Sequence, residues 1–253
     1  MDHLMSIVQT PGLFPLTRLY LLVMIHTSLT LKTIYHPDTE CDNLMEPIEI
    51  PLFPLNTVLF PGMSLPLHIY EDQYKDMIQH CLQNDSEFGI LLFNETELSQ
   101  VGCTAKILHI LKQYEDGRMD IVTEGQQRFH VLDFLQRNDY MEGIIEYFDD
   151  ETNEEVPDDL LNKVLKIYQD MIRLQTRGVG AVKGIFDPAY FSFIIASTLE
   201  LDLPEKQTLL ELTSTTERIR KLDTALIHIV SQLEKQAEME RIAGMNGHGN
   251  HND

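Results

Sequence analysis

The sequence is poor in the residue types that build metal and redox sites. It contains no tryptophan and only three cysteines, Cys41, Cys81 and Cys103. No two of them form a C-x-x-C pair, which excludes a zinc ribbon or a thioredoxin-like redox motif. Widely spaced, odd-numbered cysteines are typical of free thiols in a reducing compartment, so we expect a cytoplasmic protein. Cys81 falls on the apolar face of a predicted helix, as a small core residue would.

Basic residues are also scarce. The 253 residues include 19 lysines and arginines against 40 aspartates and glutamates, a formal net charge of −21. Residues 48–148 alone hold 6 basic and 16 acidic side chains. A surface of this charge repels nucleic-acid phosphates and anionic lipid head groups. We therefore expect neither a nucleic-acid nor a membrane partner.

Long apolar runs are missing. The most apolar stretch near the start, Leu19–Ile25, has seven residues, whereas a membrane-spanning helix needs about 20. Residues 1–44 are interpreted as an N-terminal extension that is either unstructured or upstream of the true start, with Met45 as the candidate start. A signal peptide is the alternative, although no small-x-small cleavage site follows the apolar stretch.

Catalytic motifs are absent as well. The segment RGVGAVKGIF (177–186) lacks both the GK[ST] ending of a Walker A loop and the spacing of a dinucleotide-binding fingerprint, and favours a flexible interhelical loop. Neither G-x-S-x-G nor H-E-x-x-H occurs. His68, His109 and His130 fall in predicted strands without metal-ligand spacing. We expect no catalytic residue, cofactor or metal.

What is present begins with a proline-rich apolar run, IPLFPLNTVLFPGMSLPLHIYEDQY (50–74). Proline removes a backbone donor, so IEIPLFPL is expected to pair only at a sheet edge or to be irregular. Pro61-Gly62 suits the centre of a type II turn, because proline fixes φ and glycine accepts a positive φ. SLPLHIY is a predicted strand. Residues 70–85 then follow helical periodicity, with one apolar face formed by Tyr70, Tyr74, Met77, Ile78, Cys81 and Leu82.

The next segments continue as strands. FGILLF (88–93) is a predicted buried strand, and Asp116-Gly117 is the turn of a hairpin between residues 103–114 and MDIVTEG. The strands QQRFHVLDFLQ and YMEGIIEYF complete a β subdomain over residues 48–148. Short strands with one intervening helix favour a small barrel or sandwich over a parallel α/β sheet.

The remainder is predicted to be helical. DDETNEEVPDD (149–159) carries seven carboxylates and is interpreted as a solvated acidic linker. The helical subdomain covers residues 157–243. Asp187-Pro188 and Pro204 open helices, and Ser214 to Glu217 form a capping box for the last helix. Gly244 is expected to stop that helix, and residues 244–253 form a tail expected to be disordered. The fold class is α+β.

Five blocks in order resemble the N-terminal domain of the ATP-dependent Lon proteases, which also occurs as a stand-alone protein. They are PLFPLNTVLFPGMSLPLHIYEDQY (51–74), FGILL (88–92), VGCTAKI (101–107), DGRMDIVTEGQQRFHV (116–131) and LPEKQTLLEL (203–212), and ERIRKLDTAL (217–226) fits too. The resemblance implies a PUA-like pseudo-barrel followed by a helical bundle, together one Lon N-terminal domain over residues 45–243. It implies no peptidase chemistry, since the Lon ATPase and Ser–Lys peptidase segments are absent from this sequence.

The function implied by the resemblance is protein binding. In Lon proteases this domain helps to engage substrates and supports assembly, and a Lon-like domain of a eukaryotic ligase receptor docks an adaptor. We expect a non-catalytic module that binds unfolded or partner polypeptides in protein quality control, in a groove between the β subdomain and the helices. Alternatives are an RNA-associated PUA-like protein and an unrecognised enzyme with a pocket near His68 or His130.

Eleven residues are assigned roles at this stage. The candidate partner contacts are side chains that the Pro-Gly turn would push outward or that start the first helix: Phe60, Met63, Leu65, Tyr70 and Tyr74. The alternative is that all five are core residues. The residues expected to serve backbone geometry or an internal ion pair are Pro61, Gly62, Gly102, Gly117, Gly125 and Arg128.

Overall fold

The structure is a computed structural model that describes residues 48–136, 138–152, 154–176 and 187–246. The expected extension (1–44), the glycine-rich segment (177–186) and the tail beyond residue 246 lie outside the described residues. The β strands and helices below belong to one compact unit.

Six strands form one mixed sheet. They are β1 (Ile48–Leu55), β2 (Ser64–Ile69), β3 (Phe88–Phe93), β4 (Leu98–Gln113), β5 (Met119–Leu135) and β6 (Glu142–Phe148). The order is β2-β5-β4-β3-β1-β6, and β5 also pairs with β6, so the sheet closes into a ring. Strand β5 makes this closure possible because its first half pairs with β2 and its second half with β6. Strand β1 pairs with β3 in parallel, whereas the β2–β5, β3–β4, β4–β5 and β5–β6 ladders are antiparallel.

Strand β1 is not an edge strand, contrary to the expectation from its prolines. It lies between β3 and β6. Pro51 precedes the first residue of the β1–β3 ladder, Leu52. The amide of Leu52 donates to Met141 O at 2.8 Å, on the β6 side. Because amides alternate sides along a strand, the missing donor of Pro54 also faces β6 and leaves the β1–β3 ladder intact.

The predicted hairpin is present between β4 and β5. Gly117 N donates to Tyr114 O at 3.0 Å, and Gly117 has φ +84°. The core of the ring is made by inward side chains of four strands, which pack in one cluster of Ile50, Leu52, Leu91, Phe129, Val131 and Ile145.

Helix α1 (Asp72–Asn84) lies between β2 and β3 in the chain. It buries Tyr74, Met77, Ile78 and Cys81, as its periodicity predicts. Two other residues that the sequence assigns to this apolar face of the helix are placed differently in the structure. Leu82 is 39% exposed, and Tyr70 precedes the helix. Helix α1 ends at Asp85, which adopts the left-handed conformation.

Four helices follow the ring: α2 (Asp158–Gln175), α3 (Pro188–Thr198), α4 (Leu203–Glu211) and α5 (Thr215–Asn246). Asp187 caps α3 by accepting from Tyr190 N at 3.0 Å. Ser214 Oγ accepts from Glu217 N at 3.1 Å at the start of α5, as the capping-box pattern predicts. Helix α5 continues through Gly244, past its predicted stop. No helix within the described ranges combines the length and apolarity needed to cross a membrane.

Candidate functional site

The Pro-Gly corner is a tight turn, as predicted. Met63 N donates to Phe60 O at 3.1 Å, and Gly62 has φ +73°, as the third position of a type II turn requires. Two further backbone bonds hold the turn against β5: Gly62 N to Gly125 O at 2.7 Å, and Gly125 N to Met63 O at 2.9 Å. The corner is therefore fixed to the ring on one side.

The other side of the corner packs on helix α3. The Phe60 and Phe193 rings are 6.0 Å apart between centroids. Ser197 Oγ donates to Met63 Sδ at 3.2 Å. The Tyr190 ring lies so close over Gly62 that a Cβ there would overlap it. The corner thus connects the ring to the helices.

The five predicted partner contacts separate into two groups. Phe60 and Tyr74 are only 1% and 6% exposed, so neither offers its side chain to a partner, and the outward orientation expected of Phe60 is not found. Phe60 is held by Phe193, and the Tyr74 ring stacks on Phe53 with centroids 4.1 Å apart. Burial, with a contribution from Glu71, raises the pKa of Tyr74 to about 12. Met63, Leu65 and Tyr70 are half-buried.

The glycines assigned to backbone geometry occupy such positions. Gly117, like Gly62, has a positive φ. At Gly102 and Gly125 a Cβ would overlap a carbonyl oxygen, that of Ile90 and of Phe60 respectively. Neighbouring chains therefore approach closely at both positions.

Arg128 forms the internal ion pair expected of it. It is 4% exposed, and its Nη2 donates to Asp150 Oδ1. Its Nη1 donates to two carbonyls at the C-terminal end of α4, Leu210 O at 3.0 Å and Leu212 O at 2.6 Å. Arg128 lies on β5, so these bonds join the ring to the helices a second time.

Arg218 of α5 completes this network from the other side. Its side chain is fully buried, and both of its terminal nitrogens donate to Asp150, Nη1 to Oδ1 at 3.1 Å. Its Nε donates to Ser192 Oγ at 2.7 Å, and its Nη1 to Leu212 O at 2.7 Å. The Arg218 Cζ lies 4.1 Å from the centroid of the Phe193 ring, a cation–π contact.

Asp150 therefore holds two buried guanidinium groups, although it was expected in a solvated linker. Its side chain is 16% exposed and also accepts from Thr215 Oγ1 at 2.5 Å. Burial by itself raises the pKa of Asp150, but the hydrogen bonds from Arg218 and Thr215 outweigh burial and lower it. Burial lowers the pKa of Arg128, and Asp150 opposes that shift. Neither Asp150 nor Arg218 is among the site residues predicted from the sequence. One feature of the sequence could have identified Arg218: it is an arginine on the apolar face of α5, one residue before Ile219.

A polar cluster lies beside Tyr70 on the ring. His68 Nδ1 is 2.5 Å from Asp120 Oδ1, and Tyr114 OH donates to Asp120 Oδ2 at 2.9 Å. The Tyr70 ring stacks on His68 with centroids 5.9 Å apart. The cluster orients Tyr70 next to the exposed side of β2.

Among the described residues, no group of three or more His, Cys, Asp or Glu side chains is placed to hold a metal ion. Two surface cavities bounded by those residues involve neither His68 nor His130. One, of about 530 Å³, is lined by residues 154–158 and Pro188, and the other, of about 470 Å³, lies along α5.

Comparison with known proteins gives the family. Residues 49–227, more than two thirds of the chain, match the model of the ATP-dependent protease La (LON) substrate-binding domain. The chain belongs to this family. The match covers the ring from the second residue of β1, helices α1 to α4 and the first 13 of the 32 residues of α5. The substrate-binding domain alone is found.

The relatives that the chain matches are named Lon proteases. The chain is 28% identical over 207 residues to Lon protease 2 of Herpetosiphon aurantiacus, covering 76% of this chain and 25% of that protein. It is 30% identical over 191 residues to the Lon protease of Halothermothrix orenii, covering 69% of this chain and 24% of that protein. The chain thus spans about a quarter of the length of the curated relatives it matches.

Solved structures confirm the α+β fold. A Lon N-terminal domain protein from Xanthomonas campestris superposes with a TM-score of 0.57 at 22% identity, covering 69% of this chain and 96% of that one. The N-terminal domain of a Mycobacterium avium complex Lon protease gives 0.57 at 20% identity, covering 71% and 98%. At these identities the likeness concerns the fold alone.

Proposed function

We propose that this chain is a non-catalytic module that binds unfolded or partner polypeptides in protein quality control in the cytoplasm. The observation that carries the proposal is its membership of the Lon substrate-binding domain family over residues 49–227. The proposal covers binding alone, because the matched region is a quarter of the length of the relatives named proteases.

The proposed binding surface, called the corner surface here, consists of Met63, Leu65 and Tyr70. Each is half-buried, so each offers part of an apolar or aromatic side chain to a partner. The turn and Ser197 fix Met63, and the stack on His68 orients Tyr70. A fixed apolar surface loses little conformational entropy on binding, which favours capture of exposed apolar segments.

Fluorescence anisotropy with a labelled, reduced and alkylated protein as the unfolded probe tests the proposal. We expect the full chain to bind this probe and the native form of the same protein to remain unbound. Met63→Asp and Leu65→Asp place a charge on the corner surface and should weaken binding about tenfold or more, because an unpaired carboxylate would be desolvated in the complex.

Ile227→Asp is the matched control, since Ile227 is 48% exposed on α5 and distant in sequence from the corner. It should bind as the unchanged chain does. Circular dichroism must show that each variant is folded. If folded Met63→Asp and Leu65→Asp bind with unchanged affinity, the corner surface is not the binding site. If the unchanged chain does not bind the probe, the proposed function is wrong.

A further inference from the structure

Strand β4 extends beyond its neighbour in the ring. The β3–β4 ladder ends where Phe88 faces Ala105, whereas β4 continues to Gln113 and pairs there with β5 alone. Residues 106–113 therefore present one backbone edge that faces no strand of the described part of the chain. We call this segment the free edge. An unpaired strand edge of this kind offers donors and acceptors to an added strand.

The free edge carries lysine side chains and β-bulges, which can blunt a strand edge, but it contains no proline. The other exposed edge of the sheet, that of β2, contains Pro66, which removes a donor. Residues 106–113 contain neither proline nor glycine. Three of their apolar side chains are well exposed: Leu108 at 41%, Ile110 at 45% and Leu111 at 58%. Exposed apolar side chains along an unpaired edge favour a partner strand.

The pairing register with β5 places the basic side chains of the free edge on one face of the sheet and two of its isoleucines on the other. Lys106 faces Glu124, and two bulges then set His109 opposite Val122 and Lys112 opposite Asp120. Residues 120, 122 and 124 share one face of β5, so the three basic side chains share one face of the free edge. Ile107 and Ile110 face Thr123 and Ile121, on the opposite face.

The charges of the free edge differ from those of the molecule. Its charged residues are Lys106 and Lys112, with no aspartate or glutamate, in a chain of net charge −21. Lys106 Nζ is 3.4 Å from Asp85 and its side chain is 44% exposed. Asp120, opposite Lys112, is already bonded to His68 and Tyr114. Lys112 Nζ lies 4.2 Å from the centroid of the Tyr114 ring. Because an ammonium group has three N–H donors, both lysines can still donate to a further carboxylate.

We propose that the free edge of β4 binds an extended polypeptide segment by strand addition, and that this segment alternates acidic and apolar residues. Its acidic side chains would lie on the face of Lys106, His109 and Lys112, and its apolar side chains on the face of Ile107 and Ile110. Main-chain hydrogen bonds would supply affinity and the alternation would supply specificity. This surface is separate from the corner surface.

Three synthetic peptides test the proposal with the full chain. The first is acetyl-Glu-Val-Glu-Ile-Glu-Val-Glu-amide, the second has lysine for each glutamate, and the third is the first with alternate backbone amides N-methylated. We expect the acidic peptide to bind about tenfold more tightly than the basic one, because its charges attract those of the edge. It should also slow amide hydrogen exchange within residues 106–113. Equal binding of the methylated peptide would overturn strand addition.

Lys112→Glu is the test variant and Lys166→Glu, on an exposed position of α2, is its matched control. Lys112→Glu should abolish the preference for the acidic peptide, because one lysine and one glutamate then remain on the edge, whereas Lys166→Glu should leave the preference unchanged. Unchanged preference in folded Lys112→Glu would overturn the proposal. Concentration-dependent protection of residues 106–113 without peptide, together with self-association in sedimentation, would also overturn it in favour of a second copy at this edge.

The two proposals fail separately. Met63→Asp should still bind the acidic peptide, because Met63 lies on the corner surface. If the peptide binds and the unfolded probe does not, the free edge is a binding site and the proposed function is wrong. If the unfolded probe binds and the acidic peptide does not, the free edge is not a binding site and the proposed function stands.

Discussion

Arg218 Nη1 donates to Asp150 Oδ1 at 3.1 Å, and this contact joins the fully buried side chain of a helix to the segment that leaves the ring. Arg128 of β5 shares the same carboxylate. Two guanidinium groups and one carboxylate leave an excess positive charge in the interior. Carbonyl and hydroxyl oxygens and the faces of Phe148 and Phe193 stabilise it, which fixes the helices against the ring.

Removing the shared carboxylate should strongly destabilise the protein. In Asp150→Ala both guanidinium groups remain buried without their counter-ion, and the free energy of unfolding should fall by about 3–5 kcal/mol. Asp170→Ala is the control, because its partner Arg173 is 61% exposed; it should change stability by less than about 1 kcal/mol. Urea denaturation followed by circular dichroism measures both. Similar losses in the two variants would show that the network is not a major stabilising contact.

Stability should depend on pH through Asp150. Burial alone raises its pKa, but the bonds from Arg218 and Thr215 outweigh burial, so the folded pKa is lower than the unfolded value. A carboxyl of this kind contributes stability that is complete above the unfolded pKa of about 3.9 and is lost as pH falls through the folded pKa. The free energy of unfolding should therefore fall more steeply below about pH 4 in the unchanged chain than in Asp150→Asn. Parallel pH curves from urea denaturation would refute this role of Asp150.

Comparing alanine substitutions at two glycines with positive φ distinguishes the cost of backbone strain from the cost of steric overlap. Gly62→Ala and Gly117→Ala both place a Cβ on a residue with a positive φ, which costs about 1 kcal/mol. At Gly117 the nearest atom to that Cβ is Lys75 Cδ at 3.6 Å, an ordinary contact, whereas at Gly62 it overlaps Tyr190. Gly62→Ala should therefore lose at least about 1 kcal/mol more than Gly117→Ala in thermal or urea unfolding. Equal losses would mean that Tyr190 moves aside without cost.

The two cysteines of the ring and helix α1 should be unreactive while the protein is folded. Cys81 and Cys103 are 1% and 0% exposed, and burial raises the pKa of both thiols. In a Cys41→Ser variant, a disulfide reagent should modify them only as fast as the protein unfolds, because the thiolate is the reactive form. When urea unfolds the protein, the modification rates of both cysteines should rise to that of a free thiol. Rapid modification under native conditions would contradict the burial of these residues.

Local chemistry predicted the parts of the fold that depend on few neighbours. The Pro61-Gly62 turn, the Asp116-Gly117 hairpin and the start of α3 at Asp187-Pro188 each rest on backbone preferences of adjacent residues, and all three are present. The α+β class followed from changes in hydrophobic periodicity along the chain, from that of strands to that of helices, and from the resemblance to Lon N-terminal domains. The structural comparisons confirm it.

The errors concern contacts between distant segments. Asp150 looks like one carboxylate among seven, and its partners Arg128 and Arg218 are 22 and 68 residues away. Phe60 is buried because α3 covers it, which the turn sequence alone does not encode. Strand β1 tolerates a central position because Pro51 precedes the β1–β3 ladder and Pro54 directs its missing donor away from β3. No local pattern contains this information.

The central claim is that the corner surface binds unfolded polypeptide. Hydrogen exchange measured by mass spectrometry, on the full chain with and without a saturating amount of the unfolded probe, tests it most directly. We predict slower exchange at the amides of residues 63–70, with α2 unchanged. Exchange in residues 63–70 that is unaffected by the saturating probe would contradict the claim.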